Sequence, residues 1–168
     1  AHPEHEAAVA AALRAALPGV HVSASSEVLP EIREYERIST TAVDAYLTPV
    51  LRTYLGHLAE RARRAGLPAP AIMQSNGGVL PIAESADHAA WTVLSGPAGG
   101  VIGAARLAAR DGRRLALTFD MGGTSCDVAL VSDGVPARAG ATTIAGHPLH
   151  LPMLDVTTVS AGGGSIAG

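Results

Sequence analysis

One stretch constrains this chain more than any other: LTFDMGGTSCDVALV, residues 117–131. An apolar run ends at Asp120, gives way to Gly122-Gly123-Thr124-Ser125, meets Asp127 and turns apolar again. Leu115, Leu117 and Phe119 alternate with Ala116 and Thr118, and Val128 and Leu130 alternate with Ala129 and Val131. That pattern predicts strands over 115–120 and 127–132, apolar on both faces and so lying in a covered sheet. Between them, two glycines reach positive φ freely and carry no Cβ. A turn whose amide N–H groups point outward, unobstructed by side chains, is an anion-binding nest. The hydroxyls of Thr124 and Ser125 add donors, and a phosphate fits such a turn.

Two carboxylates beside an anion repel it unless a cation lies between them. Mg²⁺ offsets their charge, and they orient its water shell. One of them can also position or deprotonate an attacking water. The D-x-G-G-T-x-x-D arrangement therefore reads as a metal–nucleotide phosphate loop on a β-hairpin. Asp120 and Asp127 are its candidate metal ligands and catalytic residues, and Gly122, Gly123, Thr124 and Ser125 its candidate phosphate holders. The plain alternative is a tight hairpin with two solvated aspartates, which has no need of Gly-Gly-Thr-Ser together. No GxxxxGK[ST] is present, so this is not a P-loop. SGPAGGVIGA (95–104) opens a helix in the manner of a dinucleotide site, but Gly96, Gly99, Gly100 and Gly103 do not make G-x-G-x-x-G. Asp120 also leads into a hairpin rather than a crossover helix.

The 168 residues suffice for one domain with a real core. With 48% hydrophobic but only 3% aromatic residues, that core is built from Ala, Val, Leu and Ile. A net charge of −3 and no basic tract longer than two residues argue against nucleic acid or an anionic membrane as partner. No apolar run approaches the roughly 18 residues of a membrane span. The opening AHPEHEAAV has no apolar stretch of the secretory kind. A lone cysteine, Cys126, rules out an internal disulfide or a CxxC metal site, and the cytoplasm is the expected compartment. The first residue is not Met and the last stretch, SAGGGSIAG, is a glycine loop of the kind that introduces a helix, so the chain is expected to be a segment of a longer protein.

Along the chain, PEHEAAVAAALRAAL (3–17) predicts a helix stopped by Pro18-Gly19. Residues 20–23 predict a short strand and 25–38 a polar joint, with Arg33, Glu36 and Arg37 as surface charges. A helix over 41–65 follows, opened by a capping box at Thr41 and Asp44 and interrupted by Pro49. Residues 71–73 predict a buried strand, 74–78 a turn and 82–90 a helix or loop. A short strand, a glycine turn and a helix over 97–110 precede the hairpin. Ser132-Asp133-Gly134 predicts a further hairpin turn after the second strand, and 135–144 and 152–160 predict further strands. Ser75-Asn76-Gly77-Gly78 follows a strand end, where ligands often sit, so Asn76 and Gly77 are substrate candidates; an ordinary Asn-Gly turn is the alternative. Gly96, Gly99 and Gly100 are read as packing positions, His147 and His150 as solvated, Trp91 as core, and Cys126 as a small residue filling its turn.

Five blocks resemble the hydantoinase A / 5-oxoprolinase family: REYERISTTAVDAYL (33–47), IMQSNGGVLP (72–81), LSGPAGGVIGAA (94–105), TFDMGGTSCDVALV (118–131) and LPMLDVTTVSAGGGSIA (151–167). HPEHE (2–6) and VSASSEVLPEIREYER (22–37) resemble the tail of that family's N-terminal half. The resemblance implies an α/β fold, a fragment of the actin/Hsp70-like, ribonuclease H-like ATPase fold with a mixed sheet and the phosphate loop on a β-hairpin. Residues 1–24 would end the N-terminal half, 25–38 would be the joint, and 39–168 would begin the ATPase-like domain. The activity implied is ATP-dependent opening of a cyclic amide (a hydantoin, N-methylhydantoin or 5-oxoproline) through a phosphorylated intermediate, with ATP and Mg²⁺ as cofactors. The family also includes ketone carboxylase subunits, and a non-catalytic scaffold that keeps the fold is a third reading. Gly162, Gly163, Gly164 and Ser165 would then lie near the nucleotide's ribose and phosphates. A hydantoinase B-type subunit or domain is the implied partner. Full members carry a second loop of D-x-G-G-T type, absent here, so the segment alone is expected to be inactive.

Overall fold

The computed structural model describes residues 2–166. Along the chain lie α1 (Pro3–Ala16), α2 (Ser25–Val28), α3 (Glu34–Arg64), β1 (Ala71–Met73), β2 (Val79–Pro81), α4 (Ile82–Ser85) and a 3-10 turn over Ala89–Thr92. They are followed by α5 (Ser95–Arg110), β3 (Leu115–Met121), β4 (Cys126–Ser132), β5 (Val135–Pro136), β6 (Arg138–Ala139), β7 (Thr142–Ile144), β8 (His147–Leu149), β9 (Met153–Leu154) and β10 (Thr157–Val159). Two compact units result, the first holding 2–72, 79–93 and 140–151 and the second 73–78, 94–139 and 152–166. The segment 25–38 lies inside the first unit; its part as a joint in a longer protein stays a proposal. No helix among the described residues is long and apolar enough to cross a membrane.

The first unit is organised on α3. Thr40, Asp44 and Thr48 recur every four residues on one face of this helix and are wholly buried. Between them they bind three segments. Thr40 Oγ1 accepts the His150 amide at 2.9 Å, Asp44 accepts the Ser23 hydroxyl at 2.7 Å and the Ala90 amide at 3.0 Å, and Thr48 Oγ1 accepts the Ala89 amide at 3.4 Å. Polar side chains survive there because they are paired. These bonds overturn the capping box expected at Thr41 and Asp44. The helix starts at Glu34, with Glu34 and Glu36 in its positive first turn, and Thr41 Oγ1 donates back to the Arg37 carbonyl at 2.7 Å.

Two further expectations change in this unit. Residues 20–23 form no strand. His21 Nε2 and Ser23 Oγ lie 2.8 Å apart and Ser23 reaches on to Asp44, so side-chain bonds replace a ladder. Arg37 is no free surface charge: its side chain is only 18% exposed, Nε donates to Ser25 Oγ at 2.5 Å, and the guanidinium meets Glu6 Oε2 at 2.8 Å. Glu6 also accepts the amides of Ser25 (2.6 Å) and Ser26 (3.0 Å), joining α1 to the start of α2. Burial works to raise the Glu6 carboxyl, but the hydrogen bonds from Ser25 and Ser26 win and hold it at about 2. Trp91 is half-buried and stacks on His88 with ring centroids 4.1 Å apart.

In the second unit α5 lies on one face of an antiparallel sheet ordered β10-β4-β3, with β5 continuing beside β4. Ala98, Val101 and Ala105 of the helix meet Ala129, Val131 and Leu154, flanked by Ile102, Ala116 and Val156. Small side chains let helix and sheet approach closely, as the low aromatic content requires. The helix opens at Ser95 because Leu94 sits at φ 61, ψ 21; the short strand expected before it does not form. The predicted hairpin turn is present, with Asp133 at φ 49 and Gly134 at φ 78, successive positive values that suit Asp-Gly. The opposite face of the sheet presents Leu115, Leu117, Phe119 and Leu130 to the surface, so among the described residues the expected cover exists on one face only.

Candidate functional site

The strand register puts three polar residues in a row. Asp120 on β3 pairs with Asp127 on β4, which pairs in turn with Thr158 on β10. Residues directly opposite across an antiparallel ladder share a face, with Cα atoms about 4.5–5.5 Å apart. The two carboxylates therefore point to one side of the sheet, the side of Ala116, Ala129 and Val131 on which α5 packs. Like charges so placed repel and destabilise the pair unless something offsets them. Thr158 Oγ1 donates to Asp127 Oδ1 at 2.6 Å. Asp120 faces the helix, and a Cβ added at Gly100 would lie 3.6 Å from its Oδ2. Pro97, Gly100 and Ala104 of α5 join Thr118, Asp120 and Asp127 around a cavity of about 470 Å³.

The turn between the acids is held from behind. Gly122 N–H donates to the Ser125 carbonyl at 2.9 Å, and the carbonyls of Gly122 and Gly123 accept the amides of Gly163 and Gly164, each at 2.9 Å. In a trans peptide the C=O and the following N–H point in opposite directions. Each accepted carbonyl thus turns the next amide away from the supporting loop: Gly123 N–H by the first bond, Thr124 N–H by the second. Among the described residues, the amides of Gly123, Thr124 and Ser125 donate to nothing, nor do the Thr124 and Ser125 hydroxyls. Gly122 and Gly123 are not among the glycines at positive φ, so the turn leaves these amides free without the left-handed backbone expected of its two glycines, and their use as an anion nest is a proposal.

Gly162–Ser165 supply the support. A Cβ at Gly162 would fall 2.5 Å from Thr124 N, 2.6 Å from Gly123 C and 2.7 Å from Gly122 O, so nothing larger than glycine fits. Gly162 N–H donates to Ser165 Oγ at 3.0 Å, and Ser165 N–H to the Gly162 carbonyl at 2.9 Å. All four amides of this loop are engaged within the chain. The geometry gives the loop a grip on the 122–125 turn; contact with ribose or phosphate remains a proposal.

Asn76 and Gly77 have no hydrogen bond to this group among the described residues. Asn76 Oδ1 accepts the Gly78 amide at 2.7 Å and so closes its own turn. Gly77 sits at φ +83, with Ile102 Cδ1 2.8 Å from where a Cβ would be. Cys126 is buried, and burial pushes its thiol above the ordinary range, with the charges of Asp127 and Asp120 adding to the effect. His150 Nδ1 lies 3.6 Å from Glu31 Oε2. Among the described residues no three His, Cys, Asp or Glu side chains gather as a metal site. Mg²⁺ does not need three: it is commonly held by one or two carboxylates plus phosphate oxygens and water. The paired acids beside free amides fit that donor set.

The chain has relatives among known proteins. Residues 37–167 match the family described as hydantoinase/oxoprolinase. The chain belongs to that family. It is 39% identical over 167 residues to the caprolactamase subunit alpha of Pseudomonas jessenii, an alignment covering 99% of this chain and 24% of that protein. It is 44% identical over 147 residues to 5-oxoprolinase 1 of Arabidopsis thaliana, covering 86% of this chain and 11% of the relative. The crystal structure of the ATP-dependent caprolactamase from Pseudomonas jessenii matches with a TM-score of 0.86 at 37% identity, over 99% of this chain and 24% of that one. The nucleotide-free structure of an acetone carboxylase matches with a TM-score of 0.79 at 30% identity, over 95% of this chain and 23% of that one. This family member therefore spans about a quarter or less of the length of these relatives.

Proposed function

We propose that this chain is part of an ATP-dependent enzyme that opens a cyclic amide. The observation that carries the reading is the pairing of Asp120 with Asp127 on one face, at the ends of a turn whose amides at 123–125 are free. Asp120 and Asp127 would hold Mg²⁺, and the turn from Gly122 to Ser125 would hold the phosphates. ATP, when bound, supplies the phosphoryl group that activates an otherwise unreactive amide carbonyl. The chain's own part is to fix that phosphate by preformed donors, which need no reorganisation during reaction. One of the two carboxylates would orient or deprotonate the attacking water. Gly162–Ser165 keep the donors aimed and lie beside the nucleotide. Asn76 is the candidate to meet the substrate amide through the group that its turn leaves over. The fold proposed is of the actin/Hsp70 type, the compartment the cytoplasm, and the partner a second subunit, in keeping with the "subunit alpha" of the caprolactamase relative.

A second reading has its own support: the likeness to an acetone carboxylase points to a ketone as acceptor of the same activating chemistry. The test is a screen of the full-length protein, with any partner subunit, for ATP hydrolysis in Mg²⁺ stimulated by hydantoin, N-methylhydantoin, 5-oxoproline, caprolactam or simple ketones. Stimulation by a cyclic amide supports the first reading, stimulation by a ketone with bicarbonate the second. Partner assembly with no nucleotide hydrolysis on any substrate contradicts both.

A further inference from the structure

Asp127 carries a constraint that Asp120 does not share. A terminal carboxylate torsion is broad, so an unheld Asp directly opposite another Asp rotates its oxygens away from the like charge. Asp127 is held. Thr158 stands opposite it on β10, and its Oγ1 donates to Oδ1 at 2.6 Å, within the range of a short O–H···O⁻ bond. Threonine is stiff at χ1, so the donor itself has few alternatives. The hydroxyl has a single proton, and that proton goes to Oδ1 alone.

We propose that Thr158 is a positioning residue for Asp127, holding Oδ1 so that Oδ2 is the oxygen presented to a divalent cation shared with Asp120. The inference rests on the reading of the two acids as cation ligands given above. Thr158 touches neither cation nor phosphate in this scheme; it acts through the orientation of Asp127. Its removal weakens the metal site without removing a ligand.

The experiment uses the full-length protein and two substitutions of similar size. Thr158→Val keeps the branched shape and deletes the hydroxyl, whereas Thr158→Ser keeps the hydroxyl and deletes a methyl. The probe is Mn²⁺ in the presence of a non-hydrolysable ATP analogue, with bound ion followed by electron paramagnetic resonance. Thr158→Val is expected to weaken Mn²⁺ binding about tenfold, the scale of one hydrogen bond to a charged group. Thr158→Ser should stay within about threefold of the parent, and the Mg²⁺ half-saturation of ATP hydrolysis should follow the same order. Should Thr158→Val fail to fold, Thr158→Ala carries the same expectation. Unchanged Mn²⁺ affinity on deletion of the hydroxyl, or equal loss in the Ser and Val variants, overturns the proposal. Asp127→Asn separates the two levels: if it weakens Mn²⁺ binding while Thr158→Val does not, the positioning role alone fails, and if Asp127→Asn is silent too, the cation reading fails with it.

Discussion

Gly163 donates its amide to the Gly122 carbonyl at 2.9 Å, and that bond sets the direction of the Gly123 amide on the far side of the same peptide plane. Gly164 does the same to Gly123 and so to Thr124. The donors of the candidate phosphate turn are thus aimed by a loop 41 residues further along the chain. This relation suggests that the glycine loop matters through shape before it matters through contact.

Gly162 is the position where shape is least forgiving. Gly162→Ala would put a methyl 2.5 Å from the Thr124 nitrogen, with backbone on every near side. Overpacking of this kind costs about 1–3 kcal/mol and is relieved by moving one loop off the other. Nucleotide binding by the full-length protein should weaken by about tenfold or more, measured by titration calorimetry. A variant that binds ATP like the parent would show that the two loops need not stay in register.

Asp44 should be the most costly polar residue of the first unit to truncate. Asp44→Ala leaves the Ala90 amide and the Ser23 hydroxyl without their acceptor in a fully buried place. The expected loss is about 2–4 kcal/mol, read as a lower midpoint in urea. Arg33→Ala, whose contact with Glu36 at 3.9 Å is exposed, should change stability by less than about 0.5 kcal/mol.

The Glu6 carboxyl gives a pH dependence with a definite sign. Its value falls from the usual 4.5 to about 2 in the folded protein, so its contribution is present above 4.5 and is lost as pH falls from there toward about 2. Amide hydrogen exchange at Ser25 and Ser26, corrected for intrinsic rate, should therefore speed up across that window. In Glu6→Gln the same amides should exchange faster at pH 6 and show much less change on acidification.

Local features of this fold were legible in sequence, and long-range ones were not. The β3–β4 hairpin follows from alternation around Asp120 and Asp127, and Asp133-Gly134 announces its own turn. The acids' shared face depends on the length of the 122–125 turn, which fixes the register and is itself readable. Thr158 is 31 residues from Asp127, and nothing local says that β10 lies beside β4. The start of α3 is not legible because Thr41 and Asp44 have the spacing of a cap, while Thr41 in fact bonds back to the Arg37 carbonyl and Asp44 meets Ser23 and Ala90, partners fixed by tertiary packing. Val20, His21 and Val22 have strand propensity, but the segment is held instead by His21 at Ser23 Oγ and by Ser23 at Asp44. Arg37 looks like its neighbours in a charged run; only the position of Glu6 makes it a clamp.

The central claim is that Asp120 and Asp127 together hold the cation of a nucleotide bound at the 122–125 turn. Its most direct test is Mg²⁺-dependent ATP hydrolysis by the full-length protein carrying Asp120→Asn, which keeps size and hydrogen bonding but deletes one charge. The account predicts a fall in kcat of about 10²–10³, the scale seen when one preorganised group is removed from the charge-stabilising site, together with a raised requirement for Mg²⁺. Parental turnover at parental Mg²⁺ concentration would contradict it.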